Sequence, residues 1–372
     1  MGLGYRIFVR PFLKFQDSEK AHKRSLFLLK IFSSNFISRK ILSLLYRPKD
    51  LPISVFGHQF PHPFGLAAGM DKKAEAINGW QSIGLGFIEI GGITYHEQEG
   101  NPKPRMFRCD SSRALINRMG FNNPGALKTQ SFLKKYYQNK GRPDVPIWVN
   151  LGKSKITENK DAHEDYSNTL DLLWDLADIF VINVSSPNTP NLRELQNQEQ
   201  LRTILNACMK TNRKNAAKLS EKEKPILVKI APDITDEQLN GIISAAMECG
   251  CSGIVATNTT VSRPDTNSTR DARLFTENGG LSGAPLHDNS TEFIRKIHKI
   301  TKGNWPIVGV GGIMSADDAW EKIAAGATLI QAYSGFVFEG PSLVNSVVKG
   351  LQRELDMRGL DNLSDAVGIE HK

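Results

Sequence analysis

Ile179-Phe180-Val181-Ile182 runs directly into Asn183-Val184-Ser185-Ser186-Pro187-Asn188-Thr189-Pro190. The first four residues are apolar and β-rich, and they read as a buried strand. Pro187 lacks the N–H that a central ladder needs, so the strand must end before it. In an α/β protein, the loop after such a strand lies at the carboxyl edge of the sheet, where ligands bind. This loop brings two amides, three hydroxyls and no charge. Asparagine side chains offer both donors and acceptors to a heterocycle. Taken alone, the stretch reads better as an Asx or Ser turn capping the next helix. The polar groups at the other strand ends shift that balance.

Working outward, similar runs recur at Phe64–Gly69, Phe87–Gly92, Ile147–Gly152, Ile226–Ile230, Gly253–Asn258, Ile307–Gly312 and Leu329–Ser334. Helical patterns fill the gaps, such as Thr235–Cys249, with Thr235 as N-cap, and Ser315–Ala325. Eight βα units predict one (β/α)8 TIM barrel, an α/β fold, over residues 51–350. Residues 1–50 form a helical extension and 351–372 a polar tail, read as a helix and a loose end. Pro48–Pro63 reads as a linker and hairpin with a turn at Phe60-Pro61-His62-Pro63. The long gap after the second strand leaves room for an inserted hairpin or lid.

Each strand delivers polar or glycine residues at its carboxyl end, the active face of such barrels. They are Ala68-Gly69 with Lys72, Gly91-Gly92, Asn150, the Asn183–Asn188 loop, Lys229, Thr257-Asn258-Thr259, Gly311-Gly312 and Tyr333-Ser334. Lys229, flanked by apolar residues, is expensive to bury unless it faces an anion. Glycine turns after the seventh and eighth strands suit a phosphate. Each motif alone is weak. Together they fit a phosphate-bearing planar cofactor beneath a small, polar, anionic substrate. Ser186 suits a proton acceptor better than an acyl nucleophile.

Charge is unevenly placed. The chain holds 47 Lys/Arg and 39 Asp/Glu, a formal +8, and residues 1–50 hold 11 and 3 of these, which is already +8. The remainder, 36 and 36, is neutral, which argues against a nucleic-acid groove on the body. Within residues 5–47, Arg6, Arg10 and Lys14 share one face of a first helical piece, and two further basic, aromatic helices follow. Such helices suit an anionic membrane surface, and they equally describe a helical cap with solvated cations. The charge asymmetry favours the membrane. No run approaches the ~18 apolar residues of a membrane span. A signal peptide is not evident, and Asp17 and Glu19 argue against a transit peptide. Cys109, Cys208, Cys249 and Cys251 form no C-x-x-C pair, so reduced thiols are expected. His58 and His62 are separated by Pro61, and no metal cluster is expected.

With these motifs the chain resembles the dihydroorotate dehydrogenases, in their membrane-associated, quinone-linked class, from about Tyr5 to Gly350. The resemblance rests on Ala67–Lys72, Gly100–Arg105, Ile116–Asn122, Asn183–Pro190, Val228–Asp233, Ala256–Thr260, Gly279–Gly283 and Val310–Ile313. It implies FMN held by Ala68, Gly69, Gly92, Asn150, Asn183, Lys229, Thr257, Gly283, Gly312, Tyr333 and Ser334. It implies dihydroorotate, or its product orotate, held by Lys72, Asn117, Arg118, Met119, Gly120, Phe121, Asn183, Asn188, Asn258 and Thr259. Ser186 would be the base, with Thr189 and Phe121 shaping a proton relay. The soluble class has cysteine there, so serine favours the quinone class. His22 and Arg108 would line the path of ubiquinone or menaquinone. At Gly92 many relatives carry a small hydroxyl residue, so a hydroxyl contact to the flavin is lost here. The expected protein sits peripherally on the cytoplasmic face of the cell membrane. The competing readings are a soluble fumarate- or NAD-linked enzyme and an inactive membrane-docked flavin-binding barrel.

Overall fold

The computed structural model describes residues 5–372, without the side chains of Arg6, Phe8 and Lys14. Of the three-cation face, therefore, only Arg10 lies within the described side chains. The eight apolar runs become strands Phe64–Leu66 (β1), Ile88–Ile93 (β2), Ile147–Leu151 (β3), Ile179–Asn183 (β4), Ile226–Ile230 (β5), Gly253–Ala256 (β6), Ile307–Val310 (β7) and Leu329–Ala332 (β8). Every neighbouring pair is parallel, and the order closes on itself in sequence order. The strands read as near-continuous apolar runs because helices cover their outer face and the barrel fills its own interior. Thr235 caps its helix reciprocally with Gln238, as the sequence predicts.

One mouth of the barrel is plugged. The hairpin Ile53–Val55 and His58–Phe60 places Phe60 edge-on against Phe87 and Trp148, with centroids 5.5 and 6.2 Å away. Phe87 and Trp148 stack at 4.3 Å. A Cβ at Gly65 would come within 2.4 Å of the Phe87 ring, so only glycine leaves that ring its place. The hairpin turns at Phe56-Gly57, both in the left-handed region, and not at the prolines. Two left-handed residues give the turn whose twist matches its strands, whereas Pro61 and Pro63 lead into β1.

The insertion after β2 is a hairpin, Met106–Cys109 with Ala114–Asn117. It takes a third antiparallel strand, Gly280–Gly283, from the segment between β6 and β7. The N-terminal segment forms a π-helical turn, Tyr5–Val9, and helices Arg10–Lys14, Ser18–Phe32 and Phe36–Tyr46. Asp17 and Asn35 cap the latter two. Leu29 packs where a Cβ on Gly79 would stand. The C-terminal tail departs from expectation. Helix Leu343–Arg358 runs through position 350, and the end beyond it is docked. Leu363 and Ala366 are buried, Gly368 donates its N–H to Ile323, and His371 stacks on His298. Two small apolar residues and a ring contact suffice to fix that end.

Phe60→Ala removes a fully buried ring from the plug. It should lower the unfolding free energy by about 3–5 kcal/mol, read as a lower denaturant midpoint, while the surface change Phe15→Ala leaves that midpoint in place.

Candidate active site

The carboxyl ends of seven of the eight strands, all but β3, open onto one cavity. Its wall includes Ala68, Gly69, Lys72, Gly92, Asn117, Met119, Gly120, Phe121, Asn183, Ser186, Asn188, Lys229, Thr257, Asn258, Thr259, Gly283, Gly312, Tyr333 and Ser334. The structure thus gathers most of the residues expected from sequence. Three stand apart from that wall. Asn150 is fully buried beneath it. Arg118 turns outward to Glu277 at 2.7 Å and lies over Phe107. Thr189, on the same loop as Ser186, is buried off the cavity wall.

A polar network forms the floor. Both oxygens of the Glu89 carboxylate accept amide protons, from Asn150 Nδ2 at 2.7 Å and Gln331 Nε2 at 2.6 Å. Asn150 Oδ1 accepts from Asn183 Nδ2 at 2.9 Å. Asn183 Oδ1 in turn accepts from the Ser185 hydroxyl at 2.9 Å, and Tyr166 donates to the Asn183 carbonyl. Asn258 Nδ2 reaches Ser185 Oγ at 2.9 Å. Glu89 and Gln331 are the members that motif reading missed. A carboxylate inside the apolar run Phe87–Ile90 was the available signal.

Lys229 is buried on this cavity, and burial lowers its pKa while the negative charge of Glu89 opposes that shift. Lys72 donates to Asn122 Oδ1 at 2.8 Å, and burial, reinforced by the Arg105 cation, lowers it to about 7. An anion against either lysine favours the ammonium form. Ser186 Oγ accepts the Asn188 backbone N–H at 3.2 Å, and Asn188 Nδ2 reaches Asn117 at 3.3 Å. Ser282 on the inserted sheet meets Ser334 at 2.8 Å, Oγ to Oγ.

The cavity suits a flat, polar, phosphate-bearing group. Gly69, Gly283, Gly311 and Gly312 line it with positive φ, so backbone can approach a ligand closely. Thr259 Oγ1 and Gln331 Oε1 are buried on it without a protein partner, which is where a ligand's hydrogen bonds belong. A Cβ at Gly92 would stand 2.7 Å from the Phe121 ring, so Phe121 occupies the space a larger residue needs.

A second, mainly apolar cavity lies between the N-terminal helices and the barrel, lined by Tyr5, Leu13, His22, Leu26, Leu29, Met70, Arg108 and Phe336, among others. Met106 and Leu115 line both cavities. His22, on the second, stacks on Tyr333, on the first, with centroids 6.2 Å apart and planes 11° apart. The partition is one side chain thick. Burial lowers His22 to about 4, so it is neutral at pH 7. Arg108 donates to the Leu13 carbonyl at 3.0 Å. Glu19 forms a buried two-pronged pair with Arg105, at 3.0 and 2.9 Å. Arg105 also holds the carbonyls of Glu99 and Asn101, and Asn101 Nδ2 holds those of Arg118 and Asn188. Hydrogen bonds thus run unbroken from the N-terminal helix to the Asn183–Pro190 loop. Among the described residues no His/Cys/Asp/Glu cluster suits a metal, and no helix is long and apolar enough to cross a membrane.

Comparison with known proteins gives consistent matches. The family pattern described as dihydroorotate dehydrogenase matches residues 50–355. The chain is similar to proteins named dihydroorotate dehydrogenase (quinone). That of Cyanothece sp. is 48% identical over 85% of this chain and 83% of its own length. That of Gloeobacter violaceus is 43% identical over 98% of each. A crystal structure of DHODH from Eimeria tenella in complex with ferulenol superposes with a TM-score of 0.85 at 35% identity, covering 96% of both chains.

Glu19→Ala strands the buried Arg105 cation and should cost about 3–5 kcal/mol of stability, measured by denaturant unfolding. The Arg105 hydrogen bonds lower the Glu19 carboxyl from 4.5 to about 2. Its stabilisation is therefore full above pH 4.5 and fades as pH falls toward 2. The difference between wild type and Glu19→Ala should shrink over that window.

Proposed function

The chain belongs to the dihydroorotate dehydrogenase family, and from that premise we propose that it oxidises dihydroorotate to orotate with bound FMN and passes the electrons to a membrane quinone, in pyrimidine biosynthesis. The observation that carries this reading is the pairing of two cavities across the His22–Tyr333 partition. One is polar, glycine-walled and lysine-bearing, and the other is apolar and framed by basic helices.

The FMN-binding set is Ala68, Gly69, Gly92, Lys229, Thr257, Gly283, Gly312, Tyr333 and Ser334 on the wall, with Asn183 and, from below, Asn150. When bound, the flavin supplies the two-electron acceptor for the hydride leaving C6 of the substrate. Lys72, Asn117, Asn188, Asn258 and Thr259 hold and orient the substrate, with Met119, Gly120 and Phe121 closing the side wall. The Lys72 ammonium balances the substrate's carboxylate. Arg118 acts at a distance by fixing the loop, since its side chain is engaged by Glu277 and its backbone by Arg105 and Asn101. Ser186 Oγ takes the C5 proton. Its lone pair already accepts the Asn188 N–H, which orients the hydroxyl. Thr189, buried on the same loop, and Phe121 shape the proton's exit. Lys229 supplies positive charge where negative charge accumulates in the reduced cofactor site.

Ubiquinone or menaquinone enters the second cavity, past His22 and Arg108. Among the described residues, 13 of the 22 exposed large apolar side chains lie between Ile7 and Leu45, including Phe12, Phe15, Phe36 and Leu44. That concentration, with the local +8 charge, supports helices lying in the anionic cytoplasmic leaflet.

The reading is tested on the purified protein by its flavin absorption, which dihydroorotate should bleach without oxygen and a quinone should restore. Ser186→Ala should keep the flavin and slow the bleaching by about 10²–10⁴. Ser186→Cys should fall between the two, and an unchanged rate in Ser186→Ala would remove the serine from the mechanism. The intact chain should bind anionic vesicles less as salt rises, and a chain that binds no anionic vesicles even at low salt would leave the basic helices as a structural cap.

A further inference from the structure

Lys322 has no part in the chemistry described so far, and its position is unusual for a lysine. It lies on helix Ala316–Ala324 and is 0% exposed. Its Nζ donates to Ser290 Oγ at 2.6 Å, to Thr291 Oγ1 at 2.9 Å and to the His287 carbonyl at 3.4 Å. All three acceptors are neutral. Among the described residues it forms no ion pair. Asp318 engages the Met314 N–H, and the side chains of Glu321 and Asp288 are half or fully exposed. Burial lowers its pKa to about 7, with the carboxylates of Asp318, Glu321 and Asp288 opposing that shift, so a further negative charge placed nearby favours its ammonium form.

The surroundings indicate where that charge belongs. Ser290 Oγ also lies 3.1 Å from the Gly311 carbonyl, within reach to donate to it. A Cβ at Gly311 would come within 2.7 Å of the same oxygen. Gly311 and Gly312 line the first cavity at the turn after β7. The peptide joining them is trans, so the Gly312 N–H points opposite to the Gly311 carbonyl. The carbonyl faces Ser290 and Lys322, and the N–H therefore faces the cavity. The one Ser290 hydroxyl proton has two carbonyls in reach, His287 at 3.0 Å and Gly311 at 3.1 Å; turned to Gly311, it lets the cation polarise the N–H at the far end of that peptide.

We propose that Lys322 is a positioning residue for the cofactor's phosphate: through Ser290 and the Gly311–Gly312 peptide it presents a polarised N–H, and its buried charge balances the phosphate dianion. This rests on the FMN reading above. It adds a residue outside the cavity wall that recognises the phosphate and is indifferent to the ring.

That asymmetry gives the test. The full-length chain, stripped of flavin, is titrated with FMN and with riboflavin, which has the same ring and no phosphate. Wild type should prefer FMN strongly. Lys322→Met, close in volume, should weaken FMN binding by about tenfold or more, the scale of one unit charge acting over roughly 10 Å at an effective dielectric of about 20, and leave riboflavin within about twofold. Ser290→Ala, which keeps the charge and cuts the link, should shift the same preference by less, and it serves as the reading should Lys322→Met not fold. A purely structural lysine would weaken both ligands together, and that outcome, or an FMN preference unchanged in the folded variants, overturns the inference alone. A wild-type protein binding riboflavin as tightly as FMN overturns the phosphate-bearing cofactor and the inference with it.

Discussion

A carboxylate placed inside a parallel barrel must find donors there, because no solvent reaches it, and Glu89 imposes that demand on everything above it. Its two oxygens take the NH2 groups of Asn150 and Gln331. Asn150 is thereby left facing Asn183 with its oxygen, so Asn183 must present its own NH2 downward. The Asn183 oxygen then faces the loop and receives the Ser185 hydroxyl. Each amide has its orientation set by the one below it. The position of Ser186, one residue further on, is inherited from this column. The polar floor, the charge facing Lys229 and the setting of the Ser186 loop all depend on one satisfied carboxylate.

Above that floor the protein joins two kinds of environment. The first cavity is rich in amides, hydroxyls and backbone N–H groups, and the second is mostly aliphatic and aromatic. The stacked pair His22 on Tyr333, with Met106 and Leu115 facing both sides, separates them. His22 is neutral at pH 7 because burial strips its cation of hydration, so the partition carries no ionised group of its own. Polar reactant and apolar acceptor can thus be bound on opposite sides of one ring without either entering the other's solvent.

Much of this arrangement is legible in the sequence. The barrel strands show because each apolar run ends in a polar or glycine residue at the same edge. Ser186, Lys72 and Lys229 show because each sits at such an end. What remained hidden depends on partners distant in the chain. Glu89 is visible as a charge in an apolar run, but nothing local names Gln331 across the barrel as its donor. Lys322 looks like an ordinary cation of an amphipathic helix, and only the packing of the helix His287–Thr301 against it removes the water. Gly280–Gly283 reads as a glycine turn, yet it completes a sheet with Ala114–Asn117. The hairpin turn was misplaced because Pro61 and Pro63 are louder signals than Phe56-Gly57.

The N-terminal helices have partners that lie far along the chain. Glu19 is 86 residues from Arg105, and the Tyr5 hydroxyl bonds the carbonyl of Val337, 332 residues away. During synthesis at ~5–20 residues per second, Tyr5 precedes that carbonyl by about twenty seconds to a minute. Arg105 follows Glu19 by about 4 to 17 seconds, so a basic, aromatic segment leaves the ribosome uncovered at first, and its pairing is completed only when Val337 emerges. The nascent protein thus offers a chaperone or lipid surface its most adhesive part first, and the barrel is the last surface able to claim it.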